Sequence, residues 1–98
     1  MKKKDLILPT KMLKPGDLGM DVFHLQEVLD ELLKKRGRKR LTAIEPGRFG
    51  EHTREELRKF KSDRNLFTAD PRYTDLTRYA MLEEFKERAT TEVMKKCR

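Results

Sequence analysis

Few side chains in this sequence have the types and spacing that catalysis requires. The two histidines, His24 and His52, lie in separate predicted elements, and neither belongs to a His-x-His or His-Glu-x-x-His pair that could bind zinc from one element. Cys97 is the single cysteine and lies next to the last residue, a position that shelters a nucleophile poorly. We therefore expect a noncatalytic protein with no metal and no cofactor.

The ionisable side chains instead favour binding to anions. Lysine and arginine number 24 against 17 aspartates and glutamates, a formal net charge of +7. One stretch is especially basic, and we predict that it forms an anion-binding loop for phosphate groups of nucleic acid, teichoic acid or lipid. Its six cations are Lys34, Lys35, Arg36, Arg38, Lys39 and Arg40. The alternative is a helix end, where the dipole favours cations, followed by a solvated loop.

Length and composition bound the remaining classes. A chain of 98 residues allows one small domain, and one cysteine excludes a disulfide framework. The apolar runs are too short for a membrane span, and the run over 6–8 is too short for a signal peptide. The localisation stays unknown at this stage, with a cytoplasmic protein, a phage-delivered protein and a fragment of an exported protein as the options.

The apolar spacing predicts three helices. The first runs from about Asp21, its expected N-cap, to Arg36, with Gly37 as the residue that ends it. The connection over 38–50 is predicted to be irregular. The second runs from about Thr53 to Arg64, with Thr53 and Glu56 in the pattern of a capping box.

The second helix is expected to end at Asn65 in the left-handed conformation, with Leu66 folded back onto its last turn. The third helix begins near Thr74 or Asp75. Its expected buried stripe consists of Leu76, Tyr79, Leu82, Phe85, Ala89 and Val93. We expect a basic arm over 1–12 whose Leu6 and Leu8 pack on the edge of a domain over 13–89, and a basic, frayed tail over 90–98.

An internal similarity recurs at an offset of 24 residues. Residues 46–54 align with residues 70–78, so that arginine, aromatic, acidic, threonine and arginine positions coincide. Each copy has the composition of a turn that buries an aromatic residue, Phe49 or Tyr73, and then begins a helix. We interpret the pair as one local structure, a turn followed by the start of a helix, that occurs twice. It is not a solenoid, because two copies are too few for one.

These motifs resemble the bacterial peptidoglycan-binding domain, a three-helix family often attached to wall hydrolases. Its opening pattern, Gly-x-x-Gly-x-x-Val-x-x-Leu-Gln-x-x-Leu, is matched by Gly16, Gly19, Val22, Leu25, Gln26 and Leu29. Its second segment is matched by Gly47, Phe49, Gly50, Thr53, Leu57 and Phe60, and its last by Asp70, Thr77 and Ala80. The sequence departs from the pattern at Pro46, Glu56, Lys61, Pro71 and Thr74. The resemblance covers roughly residues 13–85.

The resemblance implies a compact all-α, three-helix domain of peptidoglycan-binding-like type, acting as a noncatalytic bacterial or phage module that binds peptidoglycan or another anionic wall polymer. Candidate contacts to glycan hydroxyls and peptide carboxylates are polar residues near the two turns: Arg48, His52, Arg54, Arg72 and Arg78. We expect Gln26 to bond the backbone of a neighbouring turn rather than a ligand. Thr53 and Thr77 are expected to be helix caps.

Two other functions remain open from the sequence. The basic stretch is also compatible with a helical domain that uses this fold to bind nucleic acid, although no recognition-helix motif is present. The small size and the lack of catalytic groups are also typical of a protein-interaction or assembly component of a phage or secretion machine. Binding to wall polymer is the leading hypothesis, because the motif match supports it.

Overall fold

The computed structural model describes residues 6–32 and 39–96, with side chains described as far as residue 87. Four helices follow one another: α1 (Met20–Leu32), α2 (Leu41–Ile44), α3 (Glu51–Asp63) and α4 (Asp75–Lys96). No strand occurs within these ranges, which confirms the predicted all-α class. The three long helices correspond to the three predicted ones. The single-turn helix α2 is a correction, because it lies in the connection that was predicted to be irregular.

Helix α1 begins one residue earlier than predicted. The carbonyl of Gly19 accepts the first helical hydrogen bond, from the amide of Phe23 at 3.2 Å, so Gly19 rather than Asp21 is the N-cap. Gly19 has a φ of +126°, a conformation that side-chain-bearing residues rarely adopt. Asp21 lies in the first turn, where a carboxylate favours the helix dipole. The predicted end at Arg36 and Gly37 lies outside the described residues.

One hydrophobic core connects all the elements. Its buried members come from every helix and from the turns: Leu13, Val22, Leu25, Val28, Leu29, Leu32, Leu41, Phe49, Leu57, Phe60, Tyr73 and Met81. Leu6 and Leu8 pack against this core, as predicted for the arm. The radius of gyration is 13.8 Å, close to the value of about 13 Å expected for a compact chain of this length. No helix within the described ranges is long and apolar enough to cross a bilayer.

The start of α3 differs from the predicted capping box. Gly50 is the N-cap, and Thr53 is the third helical residue, fully buried. The missing cap is supplied by Glu45, whose Oε1 accepts bonds from the Thr53 amide at 2.5 Å and the Thr53 hydroxyl at 2.8 Å. A Cβ atom at Gly50 would overlap the Glu45 carboxylate, so glycine makes room for this contact.

The end of α3 has the predicted conformation. Asn65 has a φ of +58°, the left-handed conformation that ends many helices. The Leu66 amide donates to the Lys61 carbonyl at 2.7 Å, and the Asn65 amide donates to the Ser62 carbonyl at 3.1 Å. These two bonds form a Schellman motif. Leu66 packs against the core as expected.

The buried face of α4 is not the predicted one. Leu76 and Tyr79 are 72% and 58% exposed, whereas Thr77 and Met81 are buried. Tyr73, whose ring is buried in the core just before α4, determines which face of the helix is buried. Thr77 and Met81 follow Tyr73 at steps of four and lie on the same side. Of the other predicted members, Leu82 and Phe85 are half-buried, and the side chains of Ala89 and Val93 lie outside the described residues. Helix α4 continues to Lys96, through most of the segment predicted as a tail.

Candidate functional site

The two similar segments form two equivalent junctions between a turn and a helix. At the first junction, the Gly16 amide donates to the Phe49 carbonyl, and the Phe49 amide donates to the Asp17 carbonyl, both at 2.9 Å. At the second junction, Leu13 and Tyr73 exchange backbone hydrogen bonds of 3.0 and 2.8 Å. Both aromatic rings are 1% exposed. The chain segment before α1 therefore holds both junctions.

Gln26 connects α1 to the first junction. Its Nε2 lies 2.7 Å from the Glu45 carbonyl, 2.9 Å from the Arg48 carbonyl and 3.0 Å from the Thr53 hydroxyl. Its Oε1 accepts from the Gly47 amide at 2.9 Å. The side chain is fully buried, and its polar atoms are used within the protein. The prediction that Gln26 bonds a neighbouring turn rather than a ligand is confirmed.

Lys61 holds the turn of the second junction as Gln26 holds that of the first. The sequence did not lead us to predict this role. The Nζ of Lys61 donates to the Asp70 carbonyl at 2.6 Å and to the Arg72 carbonyl at 2.5 Å. Lys61 follows Phe60 as Gln26 follows Leu25, so its position in the pattern was the available signal. The side chain is 4% exposed. Burial lowers the pKa of Lys61, an effect that the nearby Asp70 carboxylate partly offsets.

Three of the five predicted ligand residues lie around the first junction. Arg48 belongs to the turn, and its carbonyl is held by Gln26 while its side chain is exposed. His52 and Arg54 lie in the first turn of α3 and are also exposed. This part of the surface therefore presents cationic and polar groups to solvent on a backbone that is fixed from inside.

Of the other two predicted ligand residues, Arg72 forms an ion pair and Arg78 is half-buried. Arg72 binds the Asp70 carboxylate through Nε at 2.9 Å and Nη2 at 2.7 Å, which holds the pKa of Asp70 well below its usual range. Arg78 is half-buried, with its guanidinium carbon 5.9 Å from the centre of the Tyr79 ring, and its buried Nε has no hydrogen-bond partner among the described residues. The structure thus leaves Arg48, His52 and Arg54 more available to a ligand than Arg72 and Arg78.

A small open cleft lies between α3 and the turn that precedes α4. Its empty volume is about 280 Å³, including space open to solvent. The lining residues are Arg54, Arg58, Lys61, Thr68, Ala69, Asp70 and Pro71. Arg54 is the only predicted ligand residue among them. The cleft therefore joins the predicted site on α3 to the second junction.

The predicted anion-binding loop is described only at its end. Lys39 and Arg40 are exposed, whereas Lys34, Lys35, Arg36 and Arg38 lie outside the described residues. Beyond the loop, the Asp30 carboxylate of α1 accepts from the Leu41 amide at 2.7 Å and from the Thr42 hydroxyl at 3.1 Å. These bonds fix the start of α2, directly after the loop, to α1.

Neither the geometry nor similarity to known proteins assigns an activity. No group of three or more His, Cys, Asp or Glu residues that could hold a metal ion occurs among the described residues. Comparisons with models of protein families, with curated proteins and with solved structures found no match to this chain. The motif residues and the geometry of the two junctions are therefore the features that bear on function.

Proposed function

We propose that this protein is a noncatalytic module that binds bacterial cell-wall peptidoglycan. The observation that supports it most is the closeness of the two junctions. Leu13 pairs with Tyr73, and Asp17 pairs with Phe49, so the two aromatic positions are held by residues only four apart. Four extended residues span at most about 14 Å. A short stretch of glycan with its stem peptide can contact both junctions at once.

The exposed groups at the first junction match the chemistry of this polymer. Peptidoglycan presents sugar hydroxyls and the carboxylates of its stem peptides. Arginine binds a carboxylate through two parallel hydrogen bonds, and it also donates to hydroxyls. Arg48 and Arg54 are both exposed and belong to backbone that internal hydrogen bonds hold in place. The net charge of +7 further favours approach to a polymer that carries carboxylates.

Cosedimentation with purified, nucleic-acid-free sacculi at low and at high salt tests the proposal. We expect the full chain to sediment under both conditions, because hydrogen bonds to the polymer persist when long-range charge effects are screened. The double variant Arg48→Ala, Arg54→Ala should bind at least about fivefold more weakly, the loss of two exposed charged contacts. Absence of sedimentation at both salt concentrations would overturn the proposal.

A matched control separates a specific surface from general positive charge. The double variant Lys59→Ala, Lys86→Ala also removes two positive charges, but from positions that belong to neither junction. We expect it to bind within about twofold of the unmodified chain. Equal losses in the two double variants, or binding at low salt only, would show a nonspecific cationic surface and contradict the proposal.

Binding to nucleic acid is the second candidate function, and the basic loop favours it. The residue that follows the loop, Leu41, is bonded to Asp30 of α1, and the described loop residues Lys39 and Arg40 are exposed. A polyanion would then bind with an affinity that falls steeply as the salt concentration rises. Filter binding to mixed-sequence DNA and RNA at low salt tests this, and no retained nucleic acid would exclude it.

A further inference from the structure

The cleft between α3 and the turn before α4 has two charged pairs at its edge. Arg58 binds Glu55 through Nη2 at 2.6 Å and Nε at 3.1 Å. Asp70 is bound by Arg72 through two side-chain bonds and also accepts from the Arg72 amide at 3.0 Å. In each pair the two charges offset each other. The carboxylate of Asp70 is therefore no strong barrier to an anionic ligand.

The other two cations of the cleft have donors left over. Arg54 belongs to none of the ion pairs among the described residues. The Lys61 ammonium has three N–H donors, of which two are used by the carbonyls of Asp70 and Arg72. The cleft thus combines an exposed guanidinium with a buried ammonium that two carbonyls hold in place.

The rest of the lining is small and partly apolar. Ala69 and Pro71 provide aliphatic surface beside the charged groups, and Thr68 provides a hydroxyl. The cleft is open to solvent, and its small lining side chains border the end of a ligand rather than enclose a whole one. The chemical complement of such a cleft is a carboxylate attached to a small apolar group.

We propose that this cleft binds the free C-terminal carboxylate of a short peptide whose last side chain is small, the group that peptidoglycan stem peptides ending in alanine present. The inference rests on the proposed function in one respect, that peptidoglycan is the source of the peptide. Arg54 and Lys61 bind the carboxylate, while Ala69 and Pro71 contact the terminal methyl group. A bound carboxylate also stabilises the buried charge of Lys61, whose pKa burial lowers.

The probe is N-acetyl-D-alanyl-D-alanine, added to the ¹⁵N-labelled full chain and followed by amide chemical shifts. We expect saturable shifts at Arg54, Lys61, Thr68 and Ala69. The C-terminal amide of the same peptide lacks the charge and should bind on the order of tenfold more weakly. The variant Arg54→Gln should weaken the free acid by a similar factor, whereas Lys86→Gln, on the exposed face of α4, should leave its affinity within about twofold.

Each remaining outcome counts against the inference. Equal shifts with the acid and the amide would show that the carboxylate is not recognised. Inorganic phosphate that shifts the same amides as strongly as the peptide would show a general anion site. If the peptide acid causes no saturable shift at the cleft of the unmodified chain, the inference is overturned. The amide spectrum of Arg54→Gln separately shows whether that variant keeps the fold.

Failure here and failure of the proposed function give different results. If the chain sediments with sacculi while the peptide leaves the cleft unshifted, wall binding stands and uses another surface. If the peptide acid saturates the cleft while sacculi do not retain the protein, the cleft is a peptide-carboxylate site and peptidoglycan is not its source.

Discussion

At the scale of single residues, Gln26 and Lys61 perform one task with different chemistry. Each lies on a long helix and donates hydrogen bonds to two carbonyls of the turn that precedes the next long helix. The neutral amide of Gln26 also accepts a bond, from Gly47. The ammonium of Lys61 only donates, and burial disfavours its charge. The first junction is therefore held by a neutral group and the second by a charge.

Replacing Gln26 with methionine should strongly destabilise the fold. The change keeps the volume but leaves the Glu45 and Arg48 carbonyls and the Gly47 amide without their partner. We expect a loss of about 2–4 kcal/mol in the free energy of unfolding, measured with urea. His24→Met, two residues earlier on the same helix, should cost less than about 1 kcal/mol. Similar losses in the two variants would contradict the role assigned to the Gln26 amide.

Lys61 predicts a pH dependence with a definite sign. Because burial lowers its pKa in the folded state from the ordinary value of 10.5, the unfolded chain binds more protons than the folded one between those two values. The stability of the unmodified chain relative to Lys61→Gln should therefore rise as pH increases from the lowered folded-state pKa toward 10.5. Urea unfolding of both proteins across this range measures the difference. Parallel stability curves would contradict the prediction.

At the scale of elements, contacts from other parts of the chain determine where helices begin and which face they bury. Glu45, at the end of α2, caps α3 from eight residues away, and its carboxylate lies where a Cβ atom at position 50 would be. Tyr73 fixes the rotation of α4, because its backbone is paired with Leu13. Amphipathic spacing alone predicted Leu76 and Tyr79 as buried. That prediction was wrong, because the stripe through Thr77 and Met81 includes a threonine and is less apolar.

A pair of substitutions on α4 tests its rotation. Met81→Ala should cost about 2–5 kcal/mol of unfolding free energy, because Met81 is 0% exposed and the change leaves a cavity. Leu76→Ser should change stability by less than about 0.5 kcal/mol, because that side chain is 72% exposed. Thermal or urea unfolding distinguishes them. A larger loss for Leu76→Ser than for Met81→Ala would show that the face predicted from the sequence is the buried one.

At the scale of the whole molecule, the chain before α1 joins parts that are distant in sequence. It pairs with both junctions, and the Pro9 carbonyl accepts a hydrogen bond of 2.6 Å from the Tyr73 hydroxyl, 64 residues away. Burial raises the pKa of Tyr73, so this donor stays protonated well above neutral pH. In a protein of 98 residues, a few such contacts are a large part of the total stability.

Phe49 shows how much one junction contributes to the whole. Its side chain is 1% exposed, so Phe49→Ala should cost about 3–5 kcal/mol. That loss approaches the total stability of about 5–15 kcal/mol that is usual for a small domain. Phe67→Ala makes the same chemical change at a side chain that is 77% exposed and should cost less than about 0.5 kcal/mol. Equal melting temperatures for Phe49→Ala and the unmodified chain would disprove the importance of this burial.

Local patterns were enough to predict much of the fold and part of the site. The spacing of apolar residues predicts the three long helices, and Asn65 with Leu66 predicts how α3 ends, because both depend on residues within a few turns. The offset of 24 residues predicts two equivalent junctions, and both are present. The role of Gln26 was also predictable, since a lone amide beside an apolar stripe must find partners when it is buried.

The tertiary structure alone decided the capping of α3, the rotation of α4 and the partners of Lys61. Each depends on a contact between separate elements. Thr53 and its partner Glu45 are eight residues apart in the sequence, and Lys61 and its partner Arg72 are eleven apart. A charged residue in an amphipathic helix is usually solvated, so nothing local distinguished Lys61 from its neighbours. The cleft between α3 and the following turn exists only once those contacts are made, because its walls come from segments that the chain folds together.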